Sequence, residues 1–70
     1  MEEKKYNLKA LRAMRGQTQE EAGESVGVSG YVWGKWERGV SFPDVIEIKA
    51  IEEEYNVSYN DIIFLNNNTV

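Results

Sequence analysis

The chain has 70 residues and a formal net charge of −4, with 41% hydrophobic residues, 29% charged residues, and neither cysteine nor histidine. This length has room for one domain, and the missing cysteine and histidine exclude disulfides, zinc fingers, thiolate nucleophiles and imidazole bases. The longest apolar run, Ile62 to Leu65, is far shorter than the roughly 20 residues that span a bilayer, so we expect a cytoplasmic protein without a membrane partner.

The first predicted helix covers residues 7–15. Asn7 is a suitable N-cap for it, and Gly16 is a suitable residue to end it. Three apolar residues at three-residue spacing are expected to form its buried face. These residues are Leu8, Leu11 and Met14.

A second helix is predicted to begin at Thr18. Thr18 and Glu21 have the spacing of a capping box, in which each side chain accepts a hydrogen bond from an otherwise unpaired backbone N–H. Ala22 and Val26 are its expected buried residues. Gly27 then interrupts the helix, and glycine suits the left-handed conformation of a sharp turn between helices.

The third predicted helix covers Gly30 to Arg38, between the N-cap Ser29 and the terminating Gly39. Trp33 and Trp36 are three residues apart, which predicts that both indoles are buried. Tyr31, Gly34 and Lys35 are expected to face outward.

The fourth predicted helix starts at Pro43-Asp44 and ends near Tyr55. Its expected inner face consists of Val45, Ile48, Ile51 and Tyr55. Ser58 and Asp61 repeat the capping spacing, which predicts a short fifth helix with Ile62, Ile63 and Phe64. Since the sequence has neither β alternation nor an internal repeat, the expected fold class is all-α: a compact bundle of five short helices over residues 1–65, followed by a flexible tail, residues 66–70.

Two short helices joined by a glycine-centred turn form the unit that places a helix in the major groove of DNA. Here Gly27 is at the turn, and Gly23 lies where the two helices must cross closely. Between Leu8 and Phe64 the sequence resembles the helix-turn-helix family of lambda-type phage repressors and Cro proteins, also called the XRE family. The resemblance is carried by Leu11-Arg12, Thr18-Gln19-Glu20-Glu21, Val26-Gly27-Val28-Ser29, Lys35-Trp36-Glu37-Arg38-Gly39, Pro43 and Tyr55-Asn56-Val57-Ser58.

The resemblance implies a role for individual residues. Gln19 is similar to a glutamine that binds a DNA phosphate, and Lys35 matches a position that can donate to guanine. Tyr31 matches one that can contact a phosphate or a thymine methyl. Arg12 and Glu37 correspond to a structural ion pair of the family. The full DNA-binding set implied in this way is Gln19, Ser29, Gly30, Tyr31, Val32, Lys35 and Arg38.

The sequence also departs from the family pattern. Gly30 and Gly34 stand where relatives carry longer polar side chains, so two potential base contacts are missing. The loop 40–44 has no lysine or arginine. Residues 1–40 carry seven basic and six acidic groups, whereas residues 41–70 carry one basic and six acidic groups, so only the first part of the chain is expected to face an anion.

The predicted function is therefore a sequence-specific transcriptional regulator of phage or bacterial type that binds double-stranded DNA. It is expected to act as a homodimer on an inverted repeat, with Ile62, Phe64 and Leu65 as the dimer patch. The alternative is a protein-interaction module, of the antitoxin or anti-repressor type, with weak DNA binding. No cofactor, metal ion or small-molecule substrate is expected, and an enzyme is not, because no spacing suggests a catalytic carboxylate pair.

Overall fold

Four short α-helices make up most of residues 5–64, which are the residues that the computed structural model describes. The chain begins with a short strand and ends with a 3-10 turn and a second short strand. In chain order the elements are β1 (Tyr6–Asn7), α1 (Leu8–Met14), α2 (Gln19–Ser25), α3 (Gly30–Arg38), α4 (Val45–Tyr55), the 3-10 turn (Tyr59–Asp61) and β2 (Ile62–Ile63).

The predicted helix caps are confirmed. The Asn7 side chain accepts a hydrogen bond from the Ala10 N–H at 2.7 Å. Thr18 and Glu21 form the capping box, with N···O distances of 3.1 Å and 2.9 Å. Ser29 caps α3, and Gly27 adopts the left-handed turn conformation with φ of +89°. Each such cap stabilises a helix by about 1 kcal/mol, which matters in helices of only two turns.

The core is centred on Trp33, which is fully buried between α3 and α4. Its ring centroid lies 5.8 Å from that of Trp36 and 5.9 Å from that of Tyr55. The predictions that Trp33, Trp36, Ala22 and Val26 are buried are confirmed. Among residues 5–64 the buried apolar side chains are Leu8, Leu11, Ala22, Val26, Trp33, Trp36, Ile51, Tyr55 and Ile62.

The predicted mostly helical fold is confirmed for the described residues, but the predicted fifth helix is wrong: there are four helices and a small two-stranded sheet. After the Ser58 and Asp61 capping box only one 3-10 turn forms, and the chain then becomes extended. β2 pairs in parallel with β1, with Ile62 opposite Tyr6. Two consecutive β-branched residues favour the extended backbone, and pairing with β1 gives the backbone groups of that segment hydrogen-bond partners. Leu65 and the predicted tail 66–70 lie outside the described residues.

Three predictions of helix faces are also wrong. Met14 is the last residue of α1 and is 65% exposed, because the core contacts end at Leu11. Val45 is the first residue of α4 and is 79% exposed, because the inner stripe of that helix starts at Ile48. Gly34 is buried rather than outward-facing, because side chains from α2 and α3 lie over it. Within residues 5–64, no helix has the length and apolar character needed to cross a membrane.

Candidate nucleic-acid interface

The helices α2 and α3 cross so closely that two positions, Gly23 and Gly30, have no room for a side chain. A Cβ on Gly23 would lie 2.6 Å from the backbone oxygen of Ser29, so the close crossing predicted at Gly23 is confirmed. A Cβ on Gly30 would lie 2.8 Å from Cα and 2.9 Å from N of Glu20. Gly30 therefore has a packing role that its interpretation as a missing base contact overlooks. The two glycines fix the angle between α2 and α3.

The carboxylate of Glu37 joins three helices. It accepts hydrogen bonds from Arg12 of α1, at 2.6 Å from Nε and 3.2 Å from Nη2. It also accepts one from Gln19 Nε2 of α2, at 3.1 Å, and one from the Trp33 indole N–H of α3, at 2.6 Å. The Glu37 side chain is only 6% exposed, so this ion pair is shielded from solvent. The network holds α3 against α1 and α2.

The charges of this network are mutually stabilised. Burial by itself would raise the pKa of Glu37, but the hydrogen bonds from Arg12, Gln19 and Trp33 outweigh it and lower that pKa. The hydrogen bond to Glu37 raises the pKa of Arg12. Both groups are therefore ionised at neutral pH.

A second group of polar contacts ties the α1–α2 turn to α4. Gln17 accepts a hydrogen bond from Arg12 Nη1 at its backbone oxygen, at 3.0 Å, and one from the Tyr55 hydroxyl at its side-chain oxygen, at 2.6 Å. The Arg15 guanidinium lies 4.5 Å from the centroid of the Tyr55 ring and pairs with Glu54 at 2.9 Å. Burial raises the pKa of Tyr55, so its hydroxyl remains a donor at neutral pH.

These contacts were missed at the sequence level, because the partners are far apart in the chain. Gln17 and Tyr55 are 38 residues apart, and no local spacing relates them. Within the Glu37 network, the contact of Trp33 with Glu37 had a local signal, because their four-residue spacing places both on one side of a helix.

The outer side of α3 carries an aromatic ring and two cations, of which Lys35 is half-buried. Tyr31 is 73% exposed, and Lys35 Nζ lies 5.3 Å from the centroid of its ring. Arg38 is exposed one turn further along. The spacings of four and three residues place all three on one face of the helix, which we call the α3 stripe (Tyr31, Lys35 and Arg38). Within residues 5–64, neither cation forms an ion pair.

The other predicted contact residues are placed differently. Ser29 is exposed, but its hydroxyl accepts from the Val32 N–H at 3.1 Å as part of the cap. Val32 and Gly30 are half-buried, and Val32 packs against the core. Gln19 is half-buried, and its amide donates one of its two N–H groups to Glu37. The structure thus brings Gln19 next to α3, while Val32 faces the interior.

The predicted dimer patch does not form one surface. Ile62 is 8% exposed and belongs to the core, because it points inward from β2, so it cannot contact a partner. Phe64 is half-buried, and Leu65 lies outside the described residues. No group of three or more carboxylates in the described part of the chain is placed to hold a metal ion. The chain matches no protein-family model and no curated protein.

Proposed function

We propose that this chain binds double-stranded DNA with the α3 stripe in the major groove and regulates transcription. The observation that carries the proposal is the close crossing of α2 and α3 together with the exposed Tyr31 and Arg38 and the half-buried Lys35 between them. In a helix-turn-helix, one helix supports a second whose outer face meets the base edges. The resemblance to the lambda-type repressor and Cro family supports the same proposal.

The α3 stripe has the chemistry that base and phosphate contacts require. Lys35 can donate to N7 and O6 of guanine, and Tyr31 can contact a thymine methyl or a phosphate. Arg38 lies at the end of the stripe and can pair with a phosphate. Tyr31 and Arg38 are separated by seven residues, which is about 10 Å along a helix, or roughly three base pairs. We therefore expect a short half-site.

Gln19 supports the proposed contact in two ways. The N–H that it donates to Glu37 holds α2 and α3 together. Its second amide N–H is available in chemical terms for a phosphate oxygen, the role implied by the family resemblance. A positioning residue of this kind contributes equally to all DNA sequences.

The proposal predicts a weak dependence on salt. Affinity for duplex DNA falls with a slope of about −0.9 in log–log form for each neutralised phosphate. Of the two cations of the stripe, Arg38 is assigned to a phosphate and Lys35 to a base edge, so each copy should give a slope of roughly −1. Because the chain has a net charge of −4, long-range attraction adds little to this local term.

A matched pair of lysine variants tests the proposal. Lys35→Ala should weaken binding to a selected duplex by about 1–3 kcal/mol and relax the preference at one base position. Lys9→Ala removes the same charge from an exposed position of α1 and should leave binding unchanged. Equal effects of the two substitutions, measured by fluorescence anisotropy, would refute the role of the stripe.

A second candidate function is favoured by the acidic groups near α3. Glu20 and Glu24 are exposed on α2, and the α3 stripe offers only three side chains to read bases. Both features suit a protein-interaction module better than a DNA reader. Binding of a protein partner that Tyr31→Ala abolishes, with no affinity for any duplex at low salt, would replace the first proposal by this one.

A further inference from the structure

Tyr31 and Lys35 form one unit on the outer side of α3. The Lys35 ammonium lies 5.3 Å from the centroid of the Tyr31 ring, which is the distance of a cation–π contact. The ring is 73% exposed, so its surface is open to a ligand. The contact holds an apolar ring and a hydrogen-bond donor next to each other. We call these two residues the Tyr31–Lys35 pair.

The position of Tyr31 on α3 suits a contact with base edges. Tyr31 is the second residue of the helix, and the N-terminal residues of a recognition helix are those that contact bases. Its neighbours are engaged elsewhere, because the Ser29 hydroxyl accepts from the Val32 N–H and Val32 packs against the core. Arg38, the last residue of the helix, carries the charge that suits a phosphate. In the DNA complex proposed above, the Tyr31 ring is therefore the apolar group that the first turn of α3 presents to the groove.

The two groups of the pair match two features of neighbouring base pairs. In the major groove, guanine presents its N7 and O6 acceptors and thymine presents its C5-methyl group. Base pairs are stacked about 3.4 Å apart, so groups that are 5.3 Å apart reach neighbouring base pairs. An ammonium beside an apolar ring is thus complementary to a guanine beside a pyrimidine methyl. Cytosine has a hydrogen atom at C5 and presents the same methyl group only after methylation at that atom.

We propose that the Tyr31–Lys35 pair recognises a C5-methylated pyrimidine, thymine or 5-methylcytosine, in the base pair next to a guanine. Lys35 donates to N7 and O6 of the guanine, and the Tyr31 ring covers the methyl group. An unmodified cytosine at the same position leaves the ring without this contact, so binding to such a site depends on cytosine methylation. The inference rests on the proposed function and assigns Tyr31 to a methyl group rather than to a phosphate.

Two pairs of duplexes that differ by one methyl group test the proposal. In a site selected from random DNA, the preference that Lys35→Ala relaxes marks the guanine, and the preference that Tyr31→Ala relaxes should mark a thymine in the next base pair. At that position, thymine is compared with deoxyuridine, and 5-methylcytosine with cytosine, by fluorescence anisotropy of the full chain. Each methylated duplex should bind about fourfold more tightly than its partner, because that is the contribution of one buried methyl group.

Equal affinities within either pair of duplexes would overturn the proposal. So would a selected site in which the two relaxed positions are not in neighbouring base pairs. No affinity for any duplex would refute the proposed function and this inference with it. Duplex binding that does not respond to the methyl group would refute the inference alone, so the two can be told apart.

Variants of two tyrosines separate the ring from the hydroxyl. Tyr31→Phe keeps the ring and should keep both differences, whereas Tyr31→Ala should abolish them. Because Tyr31 is 73% exposed, both variants should remain folded. Tyr59→Ala removes another exposed ring, in the 3-10 turn, and should leave both differences unchanged. If Tyr31→Phe weakens binding to all four duplexes equally and Tyr31→Ala does no more, the hydroxyl binds a phosphate and the proposal is overturned.

Discussion

The most specific energetic prediction concerns the buried carboxylate of Glu37. Glu37→Gln keeps the size of the side chain but removes its charge and one of its acceptor oxygens. The change leaves the Arg12 guanidinium, whose side chain is 18% exposed, without its counter-charge. Removing one charged partner of a buried ion pair lowers the free energy of unfolding by about 3–5 kcal/mol. Because an amide oxygen can still accept from Trp33 or Arg12, we expect the lower end, about 3 kcal/mol.

A second arginine–glutamate pair of the same molecule provides the control. The side chains of Arg15 and Glu54 are 39% and 37% exposed, so Glu54→Gln should cost less than about 1 kcal/mol. Both variants can be compared by urea unfolding, followed by the fluorescence of Trp33 and Trp36. If Glu37→Gln costs no more than Glu54→Gln, the network around Glu37 does not fix α3 as described.

The pH dependence of stability follows from the same group. The pKa of Glu37 is lowered in the folded state, so the unfolded chain binds the proton more readily. The stability that Glu37 contributes is thus fully present above about pH 4.3, the ordinary pKa of glutamate, and is lost as the pH falls through the folded pKa. The variant Glu37→Gln should show a smaller loss of stability between pH 5 and pH 3 than the unaltered chain.

Four further substitutions test the packing. Gly30→Ala gains about 1 kcal/mol of helix propensity, but the new Cβ clashes with the Glu20 backbone, so we expect a net loss of stability of about 1–2 kcal/mol in urea unfolding. In Gly34→Ala the new Cβ meets only the ends of two side chains at 3.2 Å, so this variant should be neutral or stabilised. Equal effects of the two substitutions would contradict the close crossing of α2 and α3. Tyr55→Phe should cost about 1 kcal/mol in thermal unfolding through the lost hydrogen bond to Gln17, and no change would show that the bond contributes nothing. Ile62→Ala should cost about 2–4 kcal/mol in the monomer, as for a core residue, and a neutral result would instead place Ile62 on the surface.

The local parts of the fold could be predicted from the sequence. The caps at Asn7, Thr18 and Ser29 and the turn at Gly27 depend on residues within four positions of each other, and a short sequence pattern contains all of that information. The burial of Trp33 likewise follows from helical spacing. Such features require no knowledge of which helix packs on which.

The predictions that were wrong or missing concern features that depend on contacts between distant segments. The sequence around Ser58 carries a helix signal, but pairing of Ile62 with Tyr6, 56 positions earlier, decides the outcome there. The exposure of Val45 depends on where the core ends, which no local pattern contains. For the same reason the contact of Gln19 with Glu37 could not be predicted from spacing. The contact of Trp33 with Glu37 had a signal in their four-residue spacing, and the pairing of Arg12 with Glu37 was implied by the family resemblance.

The measurement that tests the central claim most directly is selection of binding sites from random duplex DNA, first at low and then at physiological salt. DNA binding through the α3 stripe predicts an enriched short motif that Lys35→Ala changes at one base position. Binding as the expected homodimer predicts two such motifs as an inverted repeat, about one helical turn apart. No enriched sequence at either salt concentration would contradict DNA recognition by α3.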